Sequence, residues 1–266
     1  MRDGALVRLA AGAHLVHGGD TNWVILADGD AVTLVDTGYP GHHARLLASL
    51  AALGHTPEAV TAVLVTHAHS DHIGSAAALH RRYGTPVLGH PAEVPHLRRA
   101  FTHQVTPGQV LRAAWRPGVA PWAVRALRSG GTRDVRVTGA GAFPVAALPD
   151  RTPEGAPDGS PGAPLDLPGG PVPVPTPGHT DGHCAYLLPG PGVLLSGDAL
   201  VTGHPTSRLR GPQLLPGMFH RDRSRALASL AVLERLPADV LAPGHGPVHR
   251  GPLDRAAALA RGRAPR

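Results

Sequence analysis

The stretch "VTAVLVTHAHSDHIGS", residues 60–75, decides how this chain is interpreted. It opens with an uninterrupted apolar run rich in β-branched residues, which is typical of a strand buried on both faces. His67, His69, Asp71 and His72 follow at once, and an Ala/Leu-rich segment after them predicts a helix. A strand, a polar cluster and a helix in this order predict an α/β unit with the cluster at the carboxyl end of the strand.

The sequence on either side of this unit predicts more strands and helices. Residues 22–38 indicate two strands around an Asp-Gly-Asp turn, and leucines at helical spacing indicate a helix over residues 42–53. After residue 170 the pattern gives three strands, a leucine-rich helix and the strand "DVLAPGHG". Two halves of strands, each ending in helices, predict an α/β fold of four layers, an αββα sandwich.

Two segments differ in composition from the rest, yet we interpret residues 1–266 as a single domain. Residues 91–130 predict a helical insertion over the site, in which Phe101, Trp115 and Trp122 either form an apolar lid or pack the insertion onto the sandwich. Residues 148–170 are rich in Pro and Gly and predict an exposed loop. Candidate ligands lie on both sides of this loop, which argues against a linker between domains.

The composition of the chain limits which binding partners and which cellular location we expect. The net charge is +6 at pH 7, but the basic residues, all arginine, are scattered along the chain, so we expect no nucleic-acid partner. The apolar runs are much shorter than the roughly 20 residues that span a bilayer, so no membrane partner is expected. A single cysteine, Cys184, excludes an internal disulfide and leads us to predict a cytoplasmic location.

The residue types of the cluster point to a metal. Imidazole and carboxylate groups together suit zinc, iron or manganese. His67 and His69 project to the same side of an extended segment, whereas Asp71 and His72 turn onto the helix start and aim differently. The cluster can therefore serve two metal ions, provided that more distant residues complete the two sets of ligands.

Three distant residues have the context expected of such ligands. They are His179 in "TPGHT", Asp198 in "SGD" and His245 in "PGHG". Each follows an apolar strand and adjoins glycine, which allows a tight turn that brings a polar side chain into a site.

The motifs "THAHSDHIG", "TPGHT", "SGD" and "PGHG", in this order, resemble the signature of the metallo-β-lactamase-fold hydrolases, and "VDTG" with Asp36 resembles the first motif of that family. The resemblance implies two divalent metal ions, with zinc expected and iron or manganese compatible. It also implies that Asp36 orients the ligands. It implies a bridging hydroxide as nucleophile, with Asp71 and Asp198 as catalytic residues. The implied ligands are His67, His69 and His179 for one metal, Asp71, His72 and His245 for the second, and Asp198 as the bridge.

Details of the motifs favour one part of the family. His72 directly after Asp71 is similar to the pattern of the thioesterases, lactonases and nucleases, and Asp198 stands where the best-known class of true β-lactamases carries cysteine. The chain therefore resembles the glyoxalase II and lactonase subgroup, although it lacks the lysine-bearing glutathione site of glyoxalase II. We predict a binuclear metal-dependent hydrolase that cleaves a thioester or lactone in a small molecule.

Two alternatives remain open at this point. One is a phosphodiesterase or nuclease of the same fold, which predicts a contiguous basic groove. The other is a ligand-binding protein that keeps the metal site without turnover. The sequence makes no prediction of oligomeric state.

Overall fold

Two β-sheets and the helices outside them form the fold. The computed structural model describes residues 4–148 and 162–264. The first sheet contains the strands β1 (Ala5–Ala10), β2 (Ala13–His17), β3 (Asn22–Asp28), β4 (Ala31–Val35), β5 (Val60–Leu64), β6 (Val87–Gly89) and β7 (Gly141–Ala142). The helices of this half are α1 (His43–Ala52), α2 (Ala76–Tyr83), α3 (Val94–Leu97), α4 (Pro107–Ala113) and α5 (Val119–Arg128).

The second half repeats this arrangement with a smaller sheet. Its elements are β8 (Val172–Pro175), β9 (Cys184–Leu188), β10 (Val193–Gly197), α6 (Arg223–Leu233), β11 (Val240–Pro243), β12 (His249–Arg250) and α7 (Leu253–Arg263). The first sheet runs in the order β1 to β7 and the second in the order β12-β11-β10-β9-β8. Strands β4 to β7 are parallel neighbours, as are β10 and β11, so their carboxyl ends lie at one edge of each sheet.

Three apolar clusters show how the layers stack. Leu15 and Leu26 of the first sheet pack with Tyr186 and Leu195 of the second. Leu50 and Leu79 belong to a cluster that joins α1 and α2 to the first sheet, and a third cluster joins α6 and α7 to the second sheet. The order helix, sheet, sheet, helix confirms the predicted αββα sandwich.

Contacts between the sheets already connect the two ligand-bearing regions. The hydroxyl of Tyr186 on β9 donates to the carbonyl oxygen of Val65, 2.9 Å away, directly after β5. The backbone N–H of Cys184 donates to the carbonyl oxygen of Thr66, also at 2.9 Å. The start of β9 is thus fixed against the segment that carries the histidine cluster.

The structure gives bounds for two predicted segments, the helix after the cluster and the loop over residues 148–170. The helix after the cluster begins at Ala76. In the turn before it, a Cβ at Gly74 would overlap the backbone of Tyr39 and Pro40, so this turn approaches the neighbouring loop closely. Of the predicted loop over residues 148–170, residues 149–161 lie outside the described part of the chain, and residues 162–170 contain neither helix nor strand. Among the described residues, no helix is both long and apolar enough to span a membrane.

Candidate metal centre

The residues singled out from the sequence converge at one edge of the two sheets. Each one follows the carboxyl end of a strand. Asp36 follows β4; His67, His69, Asp71 and His72 follow β5; His179 follows β8; Asp198 follows β10; and His245 follows β11.

Three imidazole rings form the first group of converging donors. Nε2 of His67 lies 3.0 Å from Nδ1 of His69, and Nε2 of His179 lies 3.2 Å and 3.0 Å from these two nitrogens. Burial lowers the pKa of His67 and His179 well below the usual value and that of His69 to about 4, so all three rings are neutral at pH 7. Three neutral nitrogens at such distances have lone pairs to offer to one cation.

Hydrogen bonds on the far side of the rings fix which nitrogen carries the lone pair. Nε2 of His69 donates to the carbonyl oxygen of His103 at 2.6 Å, which leaves its Nδ1 free of a proton. Nδ1 of His67 donates to Oγ1 of Thr66 at 3.1 Å, and that hydroxyl donates onward to Asp36 at 2.7 Å. Such outer contacts are typical of histidines that bind metals, because they fix the tautomer and the ring orientation.

Asp71, His72 and His245 form the second group. Nε2 of His72 lies 3.4 Å from Nε2 of His245, and Oδ2 of Asp71 lies 3.7 Å and 3.5 Å from these nitrogens. The other ring nitrogens are again held by oxygen: Nδ1 of His72 donates to Asp36 at 2.8 Å, and Nδ1 of His245 donates to the carbonyl oxygen of Asp20.

This second group lies in a negative field. Burial lowers the pKa of His72, but the carboxylates of Asp198, Asp71 and Asp36 outweigh burial and raise the pKa to about 10. The pKa of His245 is raised in the same way, chiefly by Asp198 against the effect of burial. The carboxylates thus stabilise positive charge at this point, whether it is carried by a proton or by a metal ion.

Asp198 lies between the two groups. Its Oδ2 is 3.4 Å from Nε2 of His179 and 3.2 Å from Nε2 of His245, while its Oδ1 is 3.5 Å from Nε2 of His72. Its backbone N–H donates to Nε2 of His183 at 3.0 Å, and Nδ1 of that ring donates to Oγ1 of Thr176 at 2.8 Å. His183 therefore fixes the backbone from which the Asp198 carboxylate projects.

Taken together, these donors fit divalent metal ions. They form three overlapping groups whose ligand atoms lie within 4.8 Å of one another: His67, His69 and His179; His67, His72 and Asp198; Asp71, His72 and His245. Oδ1 of Asp198 is buried and accepts no hydrogen bond from the described residues, which is costly unless a cation satisfies it. Gly244 leaves the room that this carboxylate needs, because a Cβ there would overlap both Asp198 and the ring of His72.

Glu93 is a buried carboxylate that the sequence reasoning missed. Its Oε1 accepts the backbone N–H of Ala68, between His67 and His69, at 2.8 Å. Its Oε2 accepts the hydroxyl of Thr180 at 2.8 Å and the N–H of Gly182 at 3.1 Å, on the segment that carries His179. Glu93 therefore ties together the two segments that supply the three-histidine group.

Glu93 gave little signal in the sequence. It stands in "HPAEVPH", and the only hint is His96 three residues later, whose Nδ1 donates to Oε1 at 2.8 Å. Its role depends on contacts with residues 25 and 87 positions away, which no local pattern reveals.

A cavity of about 430 Å³ opens above the cluster. Its floor includes His69, Asp71, His179, Asp198 and His245, and much of its wall comes from α4 and α5. Helices of the insertion over residues 91–130 thus cover the site.

The three aromatic residues of the insertion differ in their placement. Trp122 is buried, lines the cavity and packs edge-on against Phe219, with ring centroids 5.3 Å apart. Trp115 is 78% exposed and does not line this cavity, and Phe101 stacks on His96 outside it. Of the three aromatic residues, only Trp122 both forms part of the cavity wall and packs the insertion onto the rest of the fold.

His204 also lines the cavity, next to the floor. The backbone N–H of Thr206 donates to its Nδ1 at 3.2 Å, so Nδ1 carries no proton and Nε2 does. Burial lowers the pKa of His204 well below its usual value, which keeps the ring neutral. A neutral ring with a fixed Nε2–H is a hydrogen-bond donor of defined direction.

Comparison with known proteins finds relatives that are similar to parts of the chain. It is 41% identical over 113 residues to human metallo-beta-lactamase domain-containing protein 1, which is 41% of this chain and 38% of that protein. It is 39% identical over 82 residues to the hydroxyacylglutathione hydrolase of Anaeromyxobacter dehalogenans, which is 31% of this chain and 30% of that protein. The aligned segments thus span about a third of the length of these relatives.

The whole fold has relatives among solved structures. A metallo-beta-lactamase family protein from Thermus thermophilus superposes with a TM-score of 0.64 at 24% identity, covering 96% of this chain and 80% of that one. The profile of the metallo-beta-lactamase superfamily matches residues 17–245, which include every residue of the cluster. With its two-sheet fold and its His/Asp cluster, the chain belongs to the metallo-beta-lactamase superfamily.

Proposed function

We propose that this protein is a binuclear metal-dependent hydrolase that cleaves a thioester or a lactone in a small molecule. One observation carries the proposal: two groups of three donors flank Asp198, and both groups contribute to the floor of a cavity whose walls are largely apolar. The match to a hydroxyacylglutathione hydrolase supports an ester-type bond.

The two groups suggest how two divalent ions, with zinc expected, are held. His67, His69 and His179 would bind one ion, and Asp71, His72 and His245 would bind the other. Asp198 would bridge them, since its two oxygens face both groups. When bound, two such ions bring the pKa of a coordinated water molecule to about 7 and polarise the carbonyl oxygen of the substrate.

The residues of the chain itself have complementary roles in this proposal. Asp71 is the carboxylate of the cluster that is partly open to the cavity, with a side chain 17% exposed, and it would accept the proton of the attacking water. His204 would donate its Nε2–H to the oxygen that gains negative charge during attack. Asp36 would hold His72 and, through Thr66, His67 in the orientation that ligation requires.

A substrate panel tests this function. Purified protein is loaded with zinc and assayed on an octanoyl thioester, a γ-lactone with an alkyl chain, and bis(p-nitrophenyl) phosphate, each before and after treatment with a chelator. We expect chelator-sensitive cleavage of the thioester or the lactone, and a loss of about a thousandfold or more in His67→Ala. His55→Ala, at a histidine outside the cluster, is the matched control.

Two results would overturn the proposal. Faster cleavage of the phosphodiester than of either ester would favour the phosphodiesterase alternative. Full metal occupancy without turnover of any of the three substrates would favour a ligand-binding protein.

Two further expectations stay predictions. One is that the chain forms a single domain, which the core shared by both sheets supports. The other is a cytoplasmic location, for which the single buried cysteine remains the argument.

A further inference from the structure

We propose that the substrate carries an apolar, uncharged acyl chain, and that this chain lies in the cavity between α4 and α5. The inference rests on the proposed function and specifies its substrate class. It excludes acyl or leaving groups that place a carboxylate or phosphate deep in the cavity.

The walls of the cavity are apolar over most of their surface. Val110 and Leu111 on α4 face Ala123 and Leu127 on α5, and Leu215 closes another side. Its volume of about 430 Å³ falls in the range of roughly 300–1,000 Å³ that is common for sites binding small organic molecules.

The ionisable side chains that line this cavity are those of the His/Asp cluster, Tyr39 and His204. The His/Asp cluster forms the floor, and among the described residues that line the cavity there is no arginine. The nearby guanidinium of Arg125 forms an ion pair with Asp20, with N and O 2.7 Å apart. An anionic tail, such as the two carboxylates of a glutathione thioester, would therefore find no cationic partner along these walls.

The mouth of the cavity continues the apolar wall towards solvent. Leu111 is 77% exposed, Leu127 57% and Val124 45%, and all three line the cavity. Neighbouring apolar side chains left open at the entrance to a site indicate a ligand that covers them. With the reacting carbonyl at the polar floor, an extended acyl chain would run along these residues to the mouth.

Two measurements test the proposal. The first is kcat/KM for thioesters of one uncharged thiol with straight acyl chains from two to eight carbons. We expect about a fourfold rise per added methylene, the effect of burying one methylene. The second is calorimetric binding of butanamide and octanamide to the metal-free protein, where octanamide should bind about 200-fold more tightly by the same increment.

Variants at the mouth sharpen both measurements. Leu111→Gln and Leu127→Gln each place an amide in the cavity wall. Both positions are exposed, so we expect these variants to fold. Each should weaken the rise of kcat/KM and of amide affinity with chain length. Trp115→Gln is the matched control, because Trp115 lies in the same segment and is exposed but lies outside this cavity. It should leave the dependence unchanged.

These measurements distinguish failure of the acyl-chain proposal from failure of the proposed hydrolase function. Hydrolysis with equal kcat/KM for acetyl and octanoyl thioesters would overturn the acyl-chain proposal and leave the hydrolase intact. Absence of hydrolysis of the thioesters at every chain length and of the alkyl γ-lactone, with tight and length-dependent binding of octanamide, would overturn the proposed function and support the apolar ligand. Equal binding of the two amides would overturn the acyl-chain proposal whatever the activity.

Discussion

The carboxylate of Asp36 accepts the Nδ1–H of His72 at 2.8 Å. The backbone of Asp36 itself lies in the left-handed region, with φ of 61°. The same carboxylate accepts the backbone N–H of Thr66 at 2.8 Å and its hydroxyl at 2.7 Å. A left-handed backbone at a residue other than glycine costs on the order of 1–3 kcal/mol, and asparagine and aspartate tolerate it best. Three hydrogen bonds offset this cost and direct one buried carboxylate at both halves of the candidate metal centre.

Asp36→Asn should weaken metal binding without unfolding the protein. Asparagine tolerates the same backbone but removes the negative charge and at least one acceptor, so we expect zinc affinity to fall about 10- to 100-fold. Competition with a chromophoric chelator measures this affinity. Asp30→Asn, in the exposed hairpin turn, is the control, and unchanged affinity in Asp36→Asn would show that Asp36 does not orient the ligands.

Glu93→Gln should destabilise the protein and loosen the three-histidine group. The Glu93 carboxylate accepts hydrogen bonds from four donors, whereas a glutamine amide would place its own N–H groups against some of them. We expect a loss of about 1–3 kcal/mol in the free energy of unfolding, measured by urea denaturation of the metal-free protein. Glu58→Gln, at an exposed position, should leave this free energy unchanged.

The contribution of Glu93 should also depend on pH in a defined direction. Burial raises the pKa of Glu93, but hydrogen bonds from His96, Thr180 and Ala68 outweigh burial and hold the pKa below the ordinary value of 4.5. A carboxylate whose pKa is lower in the folded state adds stability above its unfolded pKa and loses it as the pH falls through the folded pKa. The difference in unfolding free energy between wild type and Glu93→Gln should therefore be full at pH 7 and shrink below about pH 4. A constant difference would contradict this account.

His204→Ala should lower kcat while leaving the metal content unchanged. The variant removes the Nε2–H donor proposed to face the developing negative charge, and loss of one such donor typically costs about a hundredfold or more. His204→Gln retains an N–H donor on a side chain of similar reach and should recover part of the lost rate. A fall in metal content in parallel with kcat would make His204 a structural support of the site.

The convergence of the cluster could be predicted from the sequence because each ligand candidate has a local signature. Asp198 and His245 follow apolar strands and adjoin glycine, and the ends of parallel strands necessarily meet at one edge of a sheet. Glu93 has no such signature, because its partners are distant in sequence and its role appears only when the two halves are packed together. The direction of the His204 proton depends on the backbone N–H of Thr206, which no residue pattern predicts.

Stepwise reconstitution with zinc tests the central claim most directly. Metal-free protein is titrated with zinc while cleavage of the octanoyl thioester or of the alkyl γ-lactone, whichever the zinc-loaded protein cleaves, is followed. We predict no hydrolysis without metal and a rise to a plateau at two equivalents of zinc per chain. Hydrolysis by the metal-free protein, or a plateau at one equivalent, would contradict the account of two metal ions flanking Asp198.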